Sequence, residues 1–317
     1  MKLRMNAFRG RGINFFSGHQ NKHFSDIRKP RESLFQVFLL RNGKIPTFAV
    51  KISKMSAVFI QQLILSVIVA GVWITLATMI SEKMGSKIGG MIGNLPSTIF
   101  TSLLFIGITQ SPEFAAEATT TVPLGMFLST MFLYIFISLA SKGLLVALSS
   151  GLTAWVILAL MFSFFQETGI IVWSVLYFAG AVGTYLLAEK VQKIPSLGKI
   201  KRRYSVGQIL FRALFAGSVV GVSVLVARGG SAFWAGLFAS FPAMMLSSMV
   251  ILTMSAGYPF ARATGKVMLL ASTNIVIYSF VAGALFPVIG LWWGTLASYI
   301  AAALWVWMLK PFFDKGI

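Results

Sequence analysis

From Met55 onward the chain is a succession of nine apolar segments separated by short polar links. They lie at approximately 57–80, 88–109, 120–140, 143–165, 169–188, 208–228, 231–254, 265–285 and 287–309. A helix needs roughly 20 mostly apolar residues to cross the hydrocarbon layer of a bilayer. A backbone in lipid must also satisfy its own hydrogen bonds, which helices do internally. The expected fold is therefore all-α: a polytopic integral membrane protein with about nine transmembrane helices. Composition points the same way, with 57% apolar and 11% charged residues, against about 45–50% and about 25% in soluble domains. That balance excludes ordinary soluble, disordered and nucleic-acid-binding classes. The chain has no cysteine, so disulfides, thiolate metal sites and cysteine nucleophiles are excluded.

Charge divides the chain in two. Residues 1–54 form a basic extension with 12 Lys/Arg and only Asp26 and Glu32 as acids. His19 and His23 also lie here, outside every apolar segment. Its longest apolar run, 34–40, is too short to span. It reads as a targeting peptide, a membrane-surface arm, or sequence upstream of a true start at Met55. With the Met55 end outside, the inside loops collect 13 of the remaining 15 basic residues, including Lys190, Lys193, Lys199, Lys201, Arg202 and Arg203 in one linker. Arg212 lies near the same face and Arg228 falls outside. This fits the positive-inside rule. It predicts a multi-pass protein of the cell (inner or plasma) membrane with a cytoplasmic C-terminus. The basic extension spoils the fit, because it would have to be translocated.

The chain also repeats itself. A shift of 146 residues carries Gln62, Ala70, Gly71, Gly90, Pro96 and Ser102 onto Gln208, Ala216, Gly217, Gly236, Pro242 and Ser248. A shift of 143 then carries Ser129, Thr130 and Gly151 onto Ser272, Thr273 and Gly294. The expected organisation is repeat 1 over 55–165, a linker helix and basic loop over 166–206, and repeat 2 over 207–317. Five crossings separate the two starts, so the repeats would be inverted, an architecture recurrent in secondary transporters.

The second and seventh segments carry most of the functional signal. Small residues recur every fourth position: Gly85, Gly89, Gly93, Ser97 and Thr101, then Ser231, Ala235, Ala239, Ala243 and Ser247. Such stripes let helix backbones approach closely, and they predict burial of both segments, against one another at the pseudo-twofold axis. The same reasoning applies to Gly217 and Gly221, and to Ala179 and Gly183. Pro96 and Pro242 sit inside these segments, where each removes a backbone donor and frees a carbonyl, at Ile92 and Phe238. Paired Gly/Pro-interrupted segments are the best sequence pointer to a transporter's binding site. The candidate substrate path is therefore Asn94, Pro96, Ser97, Thr98, Thr101 and Ser102 from the first half. Ser240, Pro242, Ser247 and Ser248 answer them from the second, with Thr130, Thr273 and Asn274 on the third and eighth helices. Each of these residues also has a plainer reading, as local support for a kinked helix.

No ionisable residue falls in the middle of a predicted span. Such residues mark proton relays and many coupled ion sites. General acid–base and metal chemistry have no residues to use, so the expectation is no enzyme, no cofactor and no metal. A channel, a carrier of neutral or anionic solutes using backbone groups, or a non-catalytic scaffold for envelope assembly survives. The partners expected are the lipid bilayer, a small solute or ion and a homodimeric copy, with no nucleic acid.

Each repeat places a glycine six residues before its proline, Gly90 before Pro96 and Gly236 before Pro242, followed by a Ser/Thr patch and two further apolar helices. This resembles the GlpM-like four-helix bacterial inner-membrane proteins, here in tandem over roughly 56–165 and 207–309. The resemblance implies a membrane-embedded four-helix unit and carries no activity with it.

Overall fold

The computed structural model describes residues 56–83, 96–195 and 205–314; the basic extension, Asn94 and the glycines of 85–93 lie outside these. Every element among the described residues is helical. In chain order these are α1 (Ala57–Lys83), α2 (Ser97–Thr109), α3 (Pro112–Thr119), α4 (Val122–Leu139) and α5 (Leu144–Phe162). They continue as α6 (Ile170–Leu186), α7 (Val206–Arg228), α8 (Ala232–Ala239), α9 (Ala243–Ala271) and α10 (Asn274–Asp314). Six stretches among the described residues are long and apolar enough to cross a membrane. Their outward faces are apolar too: Ile64, Ile68 and Val72 on α1, Ile171 and Val175 on α6, and Trp292, Trp293 and Ile300 on α10 are all exposed. Water would not tolerate so large an apolar surface. The chain has the build of a multi-pass membrane protein.

Two of the long helices are folded back on themselves. In α9 the backbone reverses at Gly257 (φ 79°, ψ 165°) and in α10 at Gly290 (φ 78°, ψ 174°), a region open essentially to glycine alone. Beyond the first turn, a β-carbon added at Gly265 would lie 3.2 Å from Met249 Sδ across the hairpin. Beyond the second, Trp305 Nε1 donates to Thr273 Oγ1 at 3.1 Å. The 77-residue apolar stretch Ala232–Met308 thus runs back and forth.

The most extensive helix contact is that of α1 with α7. A β-carbon on Gly71 would lie 3.4 Å from the Ala213 carbonyl oxygen, and one on Gly217 would lie 2.7 Å from that of Val67. One on Gly221 would lie 2.8 Å from Val67 Cγ2 and 3.8 Å from Leu63 Cδ1. As the numbers rise along α7 they fall along α1, so the pair is antiparallel. Arg228, at the end of α7, stacks 4.4 Å from the Phe59 ring at the start of α1. The small-residue reading of Gly217 and Gly221 therefore holds. On α6 it does not: Ala179 is exposed and Gly183 touches nothing. That helix instead buries Trp173, Tyr177, Ala181 and Thr184, and its tight glycine is Gly180, packed on the Phe127 ring.

Residues 110–120, expected as an outer loop, contain the short helix α3. Ser111 caps it, accepting from the Phe114 amide at 3.1 Å, and Pro112 occupies the first turn. Its alanine face, Ala115, Ala116 and Ala118, is buried. α3 and the start of α4 hold α8: Thr121 Oγ1 donates to the Phe233 carbonyl at 3.0 Å. Gly236 sits on the Ala118 carbonyl with no room for a β-carbon. The small stripe of α8 is indeed buried at Ala235 and Ala239, with its tightest approach made to α3.

Candidate functional site

Neither proline lies inside a described helix; each stands immediately before one. A proline ring forbids the helical bond to the preceding turn and pushes the residue before it out of the α region, while its fixed φ suits a helix start. Pro96 (φ −75°, ψ 54°) immediately precedes α2, and Pro242 (φ −73°, ψ 46°) immediately precedes α9. Each proline carbonyl accepts the first helical bond, from Phe100 N at 2.9 Å and from Leu246 N at 2.8 Å. Two prolines 146 positions apart thus adopt one backbone geometry. The segment 231–254, expected as one helix, is α8, a break at 240–242, and the first half of α9. The Phe238 carbonyl, expected to need an outside partner, accepts from the Phe241 amide at 3.1 Å. Ile92 lies outside the described residues.

Both helix starts open into one cavity of about 80 Å³. Pro96, Ser97, Thr98 and Ile99 line it from one side, and Ser240, Phe241, Pro242, Met244 and Met245 from the other. Met126 and Ser129 of α4 and Met268, Ser272 and Ile275 close it. Ser129 fixes the α8–α9 break from across the site, its hydroxyl lying 3.0 Å from the Ser240 carbonyl and 2.7 Å from that of Gly125. Ser240 in turn donates back into α8, to Gly236 at 2.9 Å or Leu237 at 3.0 Å.

Of the sequence-predicted path, Pro96, Ser97, Thr98, Ser240 and Pro242 meet here. The others are placed differently. Thr101 is buried and bonds back to the Ser97 and Thr98 carbonyls, both at 3.0 Å. Thr130 does the same to Met126 at 2.9 Å, and Ser247 to Met244 at 3.2 Å. Thr273 is taken by Trp305, Asn274 is buried at the start of α10, and Ser102 is buried beyond the cavity wall. Ser248 accepts from Arg212 Nη2 at 3.2 Å. Four methionines, Met126, Met244, Met245 and Met268, also line the cavity. Met244 and Met245, two and three residues after Pro242, were the available signal.

Buried charge was also missed. Arg212 is 7% exposed, in the second turn of α7. Lys266, expected in a loop spanning 255–266, is 1% exposed inside α9. Gly257 compresses that loop to a single residue, so everything after it is helix. Lys266 Nζ pairs with Glu189 Oε2 at 2.6 Å and donates to the Ile194 carbonyl at 2.7 Å. Beside it Arg262 donates to Gln192 Oε1 at 3.3 Å, and Gln192 donates to Ser138 Oγ at 2.5 Å. These contacts clasp the π turn Leu187–Val191 that ends α6 to α4 and α9. No cluster able to hold a metal ion occurs among the described residues.

Two helix starts meeting around a small, largely apolar cavity, inside a bundle with apolar outer faces, give the chain the build of a helical membrane protein. Residues 63–168 match the family model described as "Protein of unknown function (DUF3147)". That match spans α1 to just past α5 and stops before α6. No curated protein and no solved structure matches the chain.

Proposed function

We propose that this protein is a membrane transporter or channel for a small solute or ion. In this reading it is built from two inverted four-helix repeats joined by α6, with its path through the cavity at Pro96 and Pro242. The observation that carries this is the pair of proline-headed helix starts, alike in backbone and lining one cavity. Discontinuous helices at equivalent positions of two halves are how transporter folds expose backbone groups to a solute at mid-depth.

The inversion is supported by the α1–α7 contact. Under the 146-residue shift Gly71 corresponds to Gly217 and Val67 to Ala213. Gly71 meets the Ala213 carbonyl and Gly217 meets the Val67 carbonyl. Reciprocal contacts of this kind mark a twofold relation, and the antiparallel run lays its axis across the helices. Nine crossings follow when α3 and α4 count as one broken crossing, α8 with the first half of α9 as another, and the second half of α9 with the first half of α10 as a third. The family match to 63–168 supports the reading of the first half as a unit. The likeness to GlpM-like proteins agrees with it in helix number. The cavity offers hydroxyls, thioethers and backbone groups without an acid–base pair, which favours passage over catalysis.

Paired periplasmic and cytoplasmic reporters fused after residues 110, 200 and 317 test the architecture. Positions 200 and 317 should report inside and 110 outside. A 317 fusion on the side opposite to 200 would end the inverted-repeat reading. A solute panel in proteoliposomes then separates transport from a scaffold role: the scaffold reading replaces this one if nothing in the panel crosses faster than in protein-free vesicles.

A further inference from the structure

We infer that the end of the bundle where α4, α6 and α9 meet binds the headgroup of an anionic phospholipid, an assignment independent of whether the cavity carries a solute. Three stretches of chain converge there: 138–142 at the end of α4, 187–194 at the end of α6, and 262–266 in the second half of α9. Gln192 ties the first two by donating to Ser138 Oγ, and it accepts from Arg262 of the third. Lys266 closes on Glu189 and on the Ile194 carbonyl. Glu189 is the sole acid of these stretches, against Lys142, Lys190, Lys193, Arg262 and Lys266. Its charge is spent on Lys266, which is itself buried.

Lys142, Lys190 and Lys193 are left over, exposed and without an ion pair among the described residues. The clasp gathers them. Lys142 follows Ser138 by about 6 Å of helical rise, and Lys190 and Lys193 stand either side of Gln192, which touches Ser138. At Lys193 the backbone enters the left-handed region (φ 50°), and the Ile194 amide returns to the Ala188 carbonyl at 3.1 Å. That turn buries Ile194 and leaves Lys193 outside. The positive-inside rule asks only that a loop carry charge; here buried contacts fix where the charge sits. Like charges held together repel, so the arrangement suits a partner that brings negative charge. The neighbouring side chains say what else that partner carries. Leu186, Leu187 and Val191 flank Lys190, Leu145 and Val146 follow Lys142, and all five are exposed. Cations edging an outward apolar surface, at the ends of helices long enough to span, match a phosphate above acyl chains. A soluble anion would use the lysines alone.

The test uses the full chain purified in neutral detergent and titrated with phosphatidylglycerol or phosphatidylcholine of identical acyl chains, with bound lipids counted by native mass spectrometry. Phosphatidylglycerol should bind at least tenfold more tightly. A lysine near an anionic surface contributes about fivefold. Lys142→Gln, Lys190→Gln and Lys193→Gln together should therefore remove most of the preference, and arginine at all three positions should keep it. Each single Gln substitution should lower it severalfold, which keeps the assignment testable if the triple variant does not fold. Arg228→Gln, at the other end of α7, should leave it unchanged. Equal binding of the two lipids by the wild-type chain would overturn the assignment. So would a preference that survives the triple Gln variant, which would put the lipid on other basic residues. Displacement of the bound lipid by millimolar glycerol phosphate would make this a site for soluble phosphates and would overturn it as well.

Discussion

Alanine substitution at the two glycines of the α1–α7 contact should give unequal results, although the two positions are equivalent by sequence. A β-carbon at Gly71 would lie 3.4 Å from the Ala213 carbonyl oxygen, an ordinary contact. At Gly217 it would lie 2.7 Å from the Val67 carbonyl oxygen and 3.2 Å from Val67 Cγ1. The valine side chain can turn, but the carbonyl belongs to the α1 backbone and cannot. Gly217→Ala must therefore move one helix away from the other, and overpacking of this kind costs about 1–3 kcal/mol. Against this stands the gain from replacing a helical glycine with alanine, about 0.5–1 kcal/mol. Gly71→Ala should be neutral or slightly stabilising, and Gly217→Ala should lose about 1–2 kcal/mol net. Reversible unfolding in mixed micelles by titration with a denaturing detergent measures both. Equal effects within about 0.5 kcal/mol, or a stabilised Gly217→Ala, would refute the packing argument, since surface-like substitutions fall in that range.

The turn at Gly290 offers a cleaner backbone test, because no atom lies within 4 Å of an added β-carbon there. Gly290→Ala should cost about 1–3 kcal/mol from φ/ψ strain alone, measured by the same unfolding titration; a neutral result would mean the turn can adopt another geometry. The Lys266–Glu189 pair should respond asymmetrically, since Lys266 is 1% exposed and Glu189 45% exposed. Glu189→Gln leaves a buried ammonium without its counter-charge and should cost about 1–3 kcal/mol, whereas Lys266→Met leaves a carboxylate already in contact with solvent and should cost less. The reverse order in melting temperature would show that the clasp is not held by this ion pair.

Apolar patterning was enough to find the long apolar helices, because length and hydropathy govern what can sit in lipid. The break positions were legible only as far as the prolines. Pro96 and Pro242 announce a disturbance, but sequence alone does not separate a kink from a restart; the distinction lies in the ψ of about 50° that both adopt. Gly257 stands two residues before Pro259 and Gly290 three residues after Pro287, but nothing there says that the reversal takes a single residue. That is why the 255–266 stretch read as a loop, and why Arg262 and Lys266 were placed in water. α3 was missed for the opposite reason: eight residues carrying Glu113 and Glu117 look like a solvated link until their alanine face meets α8. Of the sequence-predicted residues, Pro96, Ser97, Thr98, Ser240 and Pro242 line the cavity. Thr101 and Ser247, a turn further along their helices, and Thr130 on α4 satisfy their own helices, a choice open to any helical Ser or Thr.

Positions matched by the 146-residue shift are alike in backbone at Pro96 and Pro242 and unlike in charge at Arg212. The position equivalent to Arg212 is Ser66, a buried serine that donates to the Leu63 carbonyl at 2.7 Å. The position equivalent to Ser248, which Arg212 holds, is the buried Ser102. Likewise the first-half position matching Gly257 is Ser111, a helix cap. A single chain can hold such an asymmetry, because positions matched by the shift accept substitutions independently. A dimer of identical units would have to bury the guanidinium twice, and like charges in a low-dielectric interior repel strongly.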